Sequence, residues 1–125
     1  MRGVVFRHAE IRQCDFSRLN TLGLSIRFES CKLEHVHFNE LNLAKLSMVN
    51  CRLRNCDFSG SNLKGADFSD SSLDQVIFSR CNLEKADFRT ARDFVLNPAD
   101  NQMKGARFSS DNLAGLVQHW GLSLS

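Results

Sequence analysis

The sequence predicts a solenoid built from five-residue units. Starting at Phe28 and stepping by five gives Leu33, Phe38, Leu43, Met48, Leu53, Phe58, Leu63, Phe68, Leu73, Phe78, Leu83 and Phe88, all large and apolar. Two residues before each lies a second apolar or small side chain: Ile26, Cys31, Val36, Leu41, Leu46, Cys51, Cys56, Ser61, Ala66, Ser71, Val76, Cys81 and Ala86. The positions between carry nearly all of the charge, as at Asp57, Lys64, Asp67 and Arg89. A helix would space its apolar residues near 3.6 and a half-buried strand at 2. Five matches neither. A unit that short cannot bury its own apolar face, so it must stack on its neighbours.

Composition agrees with this reading. The 125 residues suffice for one domain with a buried core. Phe occurs ten times, Tyr never and Pro once, the choice of a core that wants bulk without a hydroxyl to satisfy. The 16 basic and 14 acidic side chains leave a formal charge of +2, which steers the chain toward neither nucleic acid nor membrane. No apolar run reaches the length of a membrane-crossing helix, and the start, Met1 to Phe6, lacks a secretory stretch. A cytoplasmic home is expected.

In chain order, Phe6, Ile11 and Phe16 open the repeat with Val4, Ala9 and Cys14 as partners. Phe16 to Phe28 is a step of twelve, so two extra residues fall within 17–27, and a bulge or small loop is expected there near Gly23. The main ladder runs from Phe28 to Phe88. The next five-step positions, Asp93 and Pro98, cannot stack in a core, yet the count still lands on Met103 and Phe108. An irregular coil over 91–102 follows, with Phe94 and Leu96 as candidates to fill the interior. Residues 1–110 thus form the repeat and 111–125 the cap and tail. Leu113, Leu116, Val117 and Trp120 have helical spacing behind Asp111 as N-cap. A short amphipathic α-helix closing the last coil is expected, because a solenoid end otherwise exposes its core. The opposite end shows no such cap. Either a partner covers the first coil or a longer natural N-terminus precedes it.

The runs Cys56-Asp57-Phe58-Ser59-Gly60, Ala66-Asp67-Phe68-Ser69-Asp70 and Cys81-Asn82-Leu83-Glu84-Lys85 resemble the pentapeptide-repeat family, whose unit is roughly A(D/N)LXX. The resemblance implies an all-β solenoid, a right-handed quadrilateral β-helix with four pentapeptides to a coil. Residues twenty apart then lie above one another. The columns become Phe28, Met48, Phe68, Phe88, Phe108; Phe38, Phe58, Phe78; Leu33, Leu53, Leu73; and Leu43, Leu63, Leu83, Met103. Like stacks on like, so each layer can repeat the packing of the last. Asn42, Asn62, Asn82 and Gln102 would form an amide ladder beside them.

Cys14, Cys31, Cys51, Cys56 and Cys81 all sit two before a core residue, where they act as small buried hydrophobes. Cys31 and Cys51 would be stacked neighbours, which makes a disulfide conceivable. His35 and His37, with Glu34 and Glu40 nearby, fall short of the three or four convergent ligands of a zinc site. Asp67, Asp70, Asp74 and Asp87 project from a straight-sided rod, without the desolvated cleft that tunes catalytic carboxylates. Lys32, Arg52 and Arg54, and Arg89, Arg92, Lys104 and Arg107, form basic clusters lacking the exposed aromatics on which single strands stack. Phosphate loops, serine elbows and HExxH are absent from the sequence. The expectation is a protein-interaction module with no catalytic residue, metal or cofactor, no membrane association and no direct nucleic-acid binding.

The closing segment, Gly105-Ala106-Arg107-Phe108 followed by Leu113-Ala114-Gly115-Leu116-Val117, resembles the end of Qnr-type quinolone-resistance members of the family. That resemblance implies a homodimer through the C-terminal helix, with Leu116, Val117 and Trp120 in contact. It also implies, as an alternative function, binding to DNA gyrase or another type II topoisomerase, with fluoroquinolone protection. Two departures weigh against that alternative. The slightly positive charge does not suit an acidic mimic of DNA, and the long loops of the Qnr branch are missing.

Overall fold

The computed structural model describes residues 2–20 and 24–113. The chain winds as a right-handed quadrilateral β-helix, and every strand pairing is parallel. Strands β1 (Arg2–Arg7), β3 (Leu24–Glu29) and β5 (Ser47–Val49) stack on one face. Strands β2 (Glu10–Arg12), β4 (Lys32–Glu34), β6 (Arg52–Arg54) and β7 (Ser72–Asp74) stack on the next. Single-residue bridges complete the other two faces, one running Asp15, His37, Asp57, Ile77 and the other Asn42, Asn62, Asn82, Gln102.

These five-residue units turn corners because most of them place one residue in the left-handed region, two positions after the core side chain. His35, Glu40, Lys45, Asn50 and Asn55 have φ between 54° and 63°. The turn redirects the chain so that the next core residue again points inward. Only glycine adopts this region without steric cost. At Gly60 the absence of a side chain matters further, since a Cβ there would run into the carboxylate of Glu40 one coil below.

Phe28, Leu33, Phe38, Leu43, Met48, Leu53, Phe58, Leu63, Phe68, Leu73, Phe78, Leu83 and Phe88 are all buried in a single core. Met103 and Phe108, nearer the end, are only half-buried. Within columns the rings lie flat on one another: Phe38 on Phe58 at 4.7 Å and Phe58 on Phe78 at 5.5 Å, within 5° of parallel. Between columns they meet edge to face, as at Phe58 and Phe68, 77° apart. Both geometries are the preferred ones for aromatic quadrupoles.

The residue two before each core position also ties the coils together. Ser71 Oγ donates to the Met48 carbonyl at 2.9 Å and accepts from the Cys51 N–H at 3.0 Å. Cys31 Sγ points at the Phe6 carbonyl (3.2 Å), and Cys51 Sγ at that of Phe28 (3.4 Å). With each thiol turned toward a carbonyl of the coil beneath, the conceivable Cys31–Cys51 disulfide is not formed, and all five cysteines are free.

The two irregularities differ in kind. β1 pairs Phe6 with Phe28, a step of 22, whereas Phe28 pairs with Met48 at the regular 20. The turn after Phe16 is ordinary, with Leu19 N–H donating to Phe16 O at 3.0 Å. The extra residues therefore enter between Leu19 and Leu24. The irregular coil over 91–102 keeps its count: Leu73 N–H bonds Arg92 O at 2.8 Å, and Leu83 N–H bonds Gln102 O at 2.7 Å. Phe94 and Leu96 are buried, and Pro98–Asp100 forms a single 3-10 turn.

At the C-terminal end Asp111 is not the N-cap expected of it. Ser109 takes that place ahead of a 3-10 turn over Ser110–Asn112. The Ser109 N–H donates to Asn112 Oδ1 at 3.0 Å, while Asn112 Nδ2 donates to the Phe88 carbonyl at 2.6 Å. Anchoring Asn112 to the coil beneath starts the turn two residues early. Leu113 is exposed; the rest of the expected cap and dimer contact, Leu116, Val117 and Trp120, lies outside the described residues.

Candidate interaction surface

Where the ladder is regular, backbone groups on its faces are paired and side chains stand outward in rows. His35 and His37 are exposed on such a face, with His35 Nε2 lying 3.8 Å from Glu34 Oε1. Among the described residues, no three His, Cys, Asp or Glu side chains converge as a metal site. The acidic edge is dispersed into local roles. Asp67 accepts from Ser69, Asp74 sits 3.8 Å from Arg54, and Asp87 pairs with Arg89 at 2.9 Å while Asp70 remains exposed. The Arg89 guanidinium beside it holds the Asp87 carboxyl below the usual carboxylate range. Lys32 stacks over Arg52, and Arg54 over Asp74, so the basic rows are interrupted by acid. Of the amide row, Asn62 Nδ2 donates to Asn42 Oδ1 at 3.1 Å, while the Asn62 and Asn82 carbonyls also accept the N–H two residues on.

Burial desolvates the thiols and pushes Cys51 and Cys81 up to about 11, with Cys56 raised for the same reason. Thiolate is the reactive form, so these three are packing groups.

Two places break the uniformity. At the N-terminal end an apolar opening of about 200 Å³ is lined by Val4, Phe6, Phe16, Leu19 and Ile26 above the first buried layer. Halfway up the opposite half, the irregular coil opens a cleft of about 430 Å³ on one face. Its lining includes Asp74, Ile77, Asp93, Val95, Asn97 and Asp100. Ile77 is 52% exposed and Val95 41%. The bridge column of this face ends at Ile77, while the adjacent column of asparagines continues to Gln102.

The cleft exists because of what occupies the core beneath it. Phe94 turns inward to pack tilted against both rings of the Phe88–Phe108 stack, at 5.5 and 5.7 Å from their centres. Leu96 is fully buried beside it. Val95 is thereby turned out. Ser72 Oγ holds Asp93 at 2.8 Å and Ser79 Oγ holds Asp100 at 2.7 Å, pinning both ends of the diverted segment. Phe94 and Leu96 were readable as fillers; the cleft was not, since nothing local marks Ile77 as uncovered.

A family model described as the pentapeptide repeat region matches residues 24–92. No curated protein sequence matches the chain. Among solved structures the chain is similar to a trypsin-treated variant of QnrB1, a plasmid-mediated fluoroquinolone resistance protein, at 11% identity and TM-score 0.49 over 99% of each chain. It is also similar to HetL, a pentapeptide repeat protein involved in heterocyst differentiation regulation from the cyanobacterium Nostoc sp. strain PCC 7120. There the identity is 12% and the TM-score 0.44, over 87% of this chain and 58% of that one. A third, Rfr23 from the cyanobacterium Cyanothece 51142, shows 13% identity and TM-score 0.30, over 89% and 90%.

Proposed function

The chain belongs to the pentapeptide-repeat family, and from that premise we propose that it is a non-enzymatic interaction module that binds a protein partner through its irregular coil. One observation carries this reading. Ile77 and Val95 surface side by side in the cleft where the ladder opens, ringed by polar groups. Apolar groups gathered within a polar rim mark contact sites on soluble proteins. The free, desolvated thiols suit a reducing compartment, so we place the protein in the cytoplasm.

The test is site-specific photo-crosslinking in the native cell extract, with a photoreactive residue at position 77, 95 or, as a control on the regular ladder, 64. A discrete adduct from 77 and 95 but not from 64 supports the module. Equal labelling from all three, or none, defeats it.

The alternative, protection of a type II topoisomerase, rests on the resemblance of the closing segment Gly105 to Val117. The described faces mix charge, with Arg52 and Lys32 stacked in one row and Asp57 and Asp87 in others. A mimic of DNA would need an unbroken acidic stripe. Gyrase supercoiling with a fluoroquinolone present decides between them: rescue by low-micromolar protein would replace our reading, and no rescue would leave it standing.

A further inference from the structure

The cleft holds an unpaired strand edge as well as apolar side chains. On this face three backbone contacts join each coil to the next ahead of the far corner, where Gly60 N–H bonds Ser79 O at 2.8 Å. Asn55 N–H donates to Asp74 O at 3.1 Å, Phe58 N–H donates to Ile77 O at 2.9 Å, and Cys56 O accepts from Ile77 N–H at 2.9 Å. The coil below repeats the set, with His35 to Arg54, Phe38 to Asp57, and Asp57 to Val36. One coil further on, the corresponding groups are the N–H of Gln75, the N–H of Phe78 and the C=O of Val76. None of these finds a partner among the described residues, because those that should supply one, Phe94 to Asn97, have been diverted. The ladder then recloses at once: Arg80 N–H bonds Asp100 O at 2.9 Å, and Asn101 Nδ2 reaches the Phe78 carbonyl at 3.0 Å. The structure thus leaves a slot one strand long, closed at both ends, whose floor presents donor, acceptor, donor.

Such an edge is a template for another strand. The surroundings specify which. Every ionisable side chain lining the cleft is acidic: Asp74, Asp93 and Asp100. Ile77 and Val95 offer an apolar seat between them. We propose that the slot binds an extended segment of a partner protein, an apolar residue flanked by Lys or Arg, which adds as a short strand to the 75–78 edge. This rests on the interaction-module reading and names its partner's chemistry. The bound segment would give Gln75 and Phe78 the carbonyls, and Val76 the N–H, that a regular coil would supply. Its apolar side chain would cover Ile77, and its basic residues would face the carboxylates.

The test uses the full chain and defined fluorescent hexapeptides. The probe is Lys-Ile-Arg-Val-Lys-Gly. Controls are Glu-Ile-Asp-Val-Glu-Gly and the basic peptide N-methylated at its central amides. Anisotropy should show saturable binding of the basic peptide at micromolar concentration, at least tenfold weaker for either control. Amide resonances of Gln75 and Phe78 should shift and gain exchange protection on binding. The variant Ile77→Lys should lose binding at least tenfold while keeping its melting temperature, since that side chain is half in solvent already. Equal binding of acidic and basic peptides, indifference to N-methylation, or shifts centred elsewhere would each overturn the proposal. So would strong protection of the Gln75 and Phe78 amides in the free protein, which would mean that the chain closes its own ladder. Failure here with specific crosslinking at 77 and 95 would remove the strand-addition mode and leave the module reading intact.

Discussion

Phe58 is the side chain on which the packing argument can be tested most severely. It is fully buried and stacks flat on Phe38 below and Phe78 above, at 4.7 and 5.5 Å, with Phe68 edge-on at 6.2 Å. Truncating a buried Phe to Ala costs about 3–5 kcal/mol. Each well-oriented ring pair adds about 0.5–1.5 kcal/mol beyond area, and three pairs are lost, so Phe58→Ala belongs at the upper end, near ~5 kcal/mol. The comparison is Phe108→Ala. That ring is half-buried, stacked on Phe88 at 5.3 Å and tilted against Phe94. With much of its surface already wet, its loss should cost about 2 kcal/mol. Urea unfolding followed by circular dichroism, with m-values compared, reads both. Because each coil touches only its neighbours, hydrogen exchange in Phe58→Ala should quicken in the coils holding Phe38 and Phe78 before it does at the ends. A loss below ~2 kcal/mol for Phe58→Ala, or one equal to that of Phe108→Ala, would refute the claim that stacked rings hold the layers together.

Two further outcomes follow from the titrating groups. With Cys51 and Cys81 pushed up to about 11, a thiol reagent at pH 8 should modify Cys14, half-buried in the first coil, well before them, and should find all five cysteines only after denaturation. Mass mapping that finds Cys51 or Cys81 labelled first in the native protein would contradict this. For Asp57, burial raises the carboxyl but the Ser59 hydroxyl and N–H outweigh it; for Asp87, Arg89 lowers it, so both sit below their ordinary value. A depressed folded value means stability that is complete above the unfolded value, roughly 3.9, and is lost as pH falls through the folded one. The melting temperature should therefore hold level from neutrality to about pH 4 and drop below it. An Asp57→Asn/Asp87→Asn double variant should show a shallower drop; an unchanged acid slope would assign the loss to other groups.

How far the fold could be read from sequence depends on which forces leave a mark on residue identity. The five-step series did, because an inward position has to be large and apolar whatever its neighbours are. The residue two before it left a looser one: it is apolar or small throughout, with Ser71 and the thiols reaching carbonyls of the coil below and Leu41 and Leu46 buried at the same position. The corner residues left none. Among the described residues, thirteen that are not glycine adopt positive φ, His8, Lys45, Arg80 and Asp93 among them, against Gly60, Gly65 and Gly105. Isolated, each would avoid that region; here bonds to the next coil, such as Lys45 N–H to Lys64 O at 2.8 Å, hold it. Tertiary pairing overrode propensity, and a reading by propensity is blind to it. The misplaced N-cap has the same origin. Asp111 is a good cap by type, but Asn112 is claimed by carbonyls of the coil beneath, among them that of Ala91 at 3.1 Å.

The cleft was hidden for a related reason, and its origin bears on whether it is an accident. The two extra residues between Leu19 and Leu24 shift the register, to a step of 22 against the regular 20. The coil through 93–100 contains no insertion: the ladder bonds before and after it keep the same spacing. Two core positions instead carry Asp93 and Pro98, forfeiting two buried side chains, each of which would contribute about 1.5–3 kcal/mol. Phe94 restores burial from a position that in other coils faces outward (Asp74, Arg54), while Leu96 is the largest side chain at an inward position held by Val76, Cys56 and Val36 in the coils below. Phe94 and Leu96 thus keep this coil's interior apolar while its outer edge is opened. Random decay of a repeat would be expected to leave a cavity inside, or to move the register, and this coil does neither. What it changes is confined to the surface, where Gln75, Val76 and Phe78 lose their partners and Ile77 its cover. Along a ladder whose layers from Phe28 to Phe88 otherwise restate their neighbours, that is where a partner can find something distinct to bind.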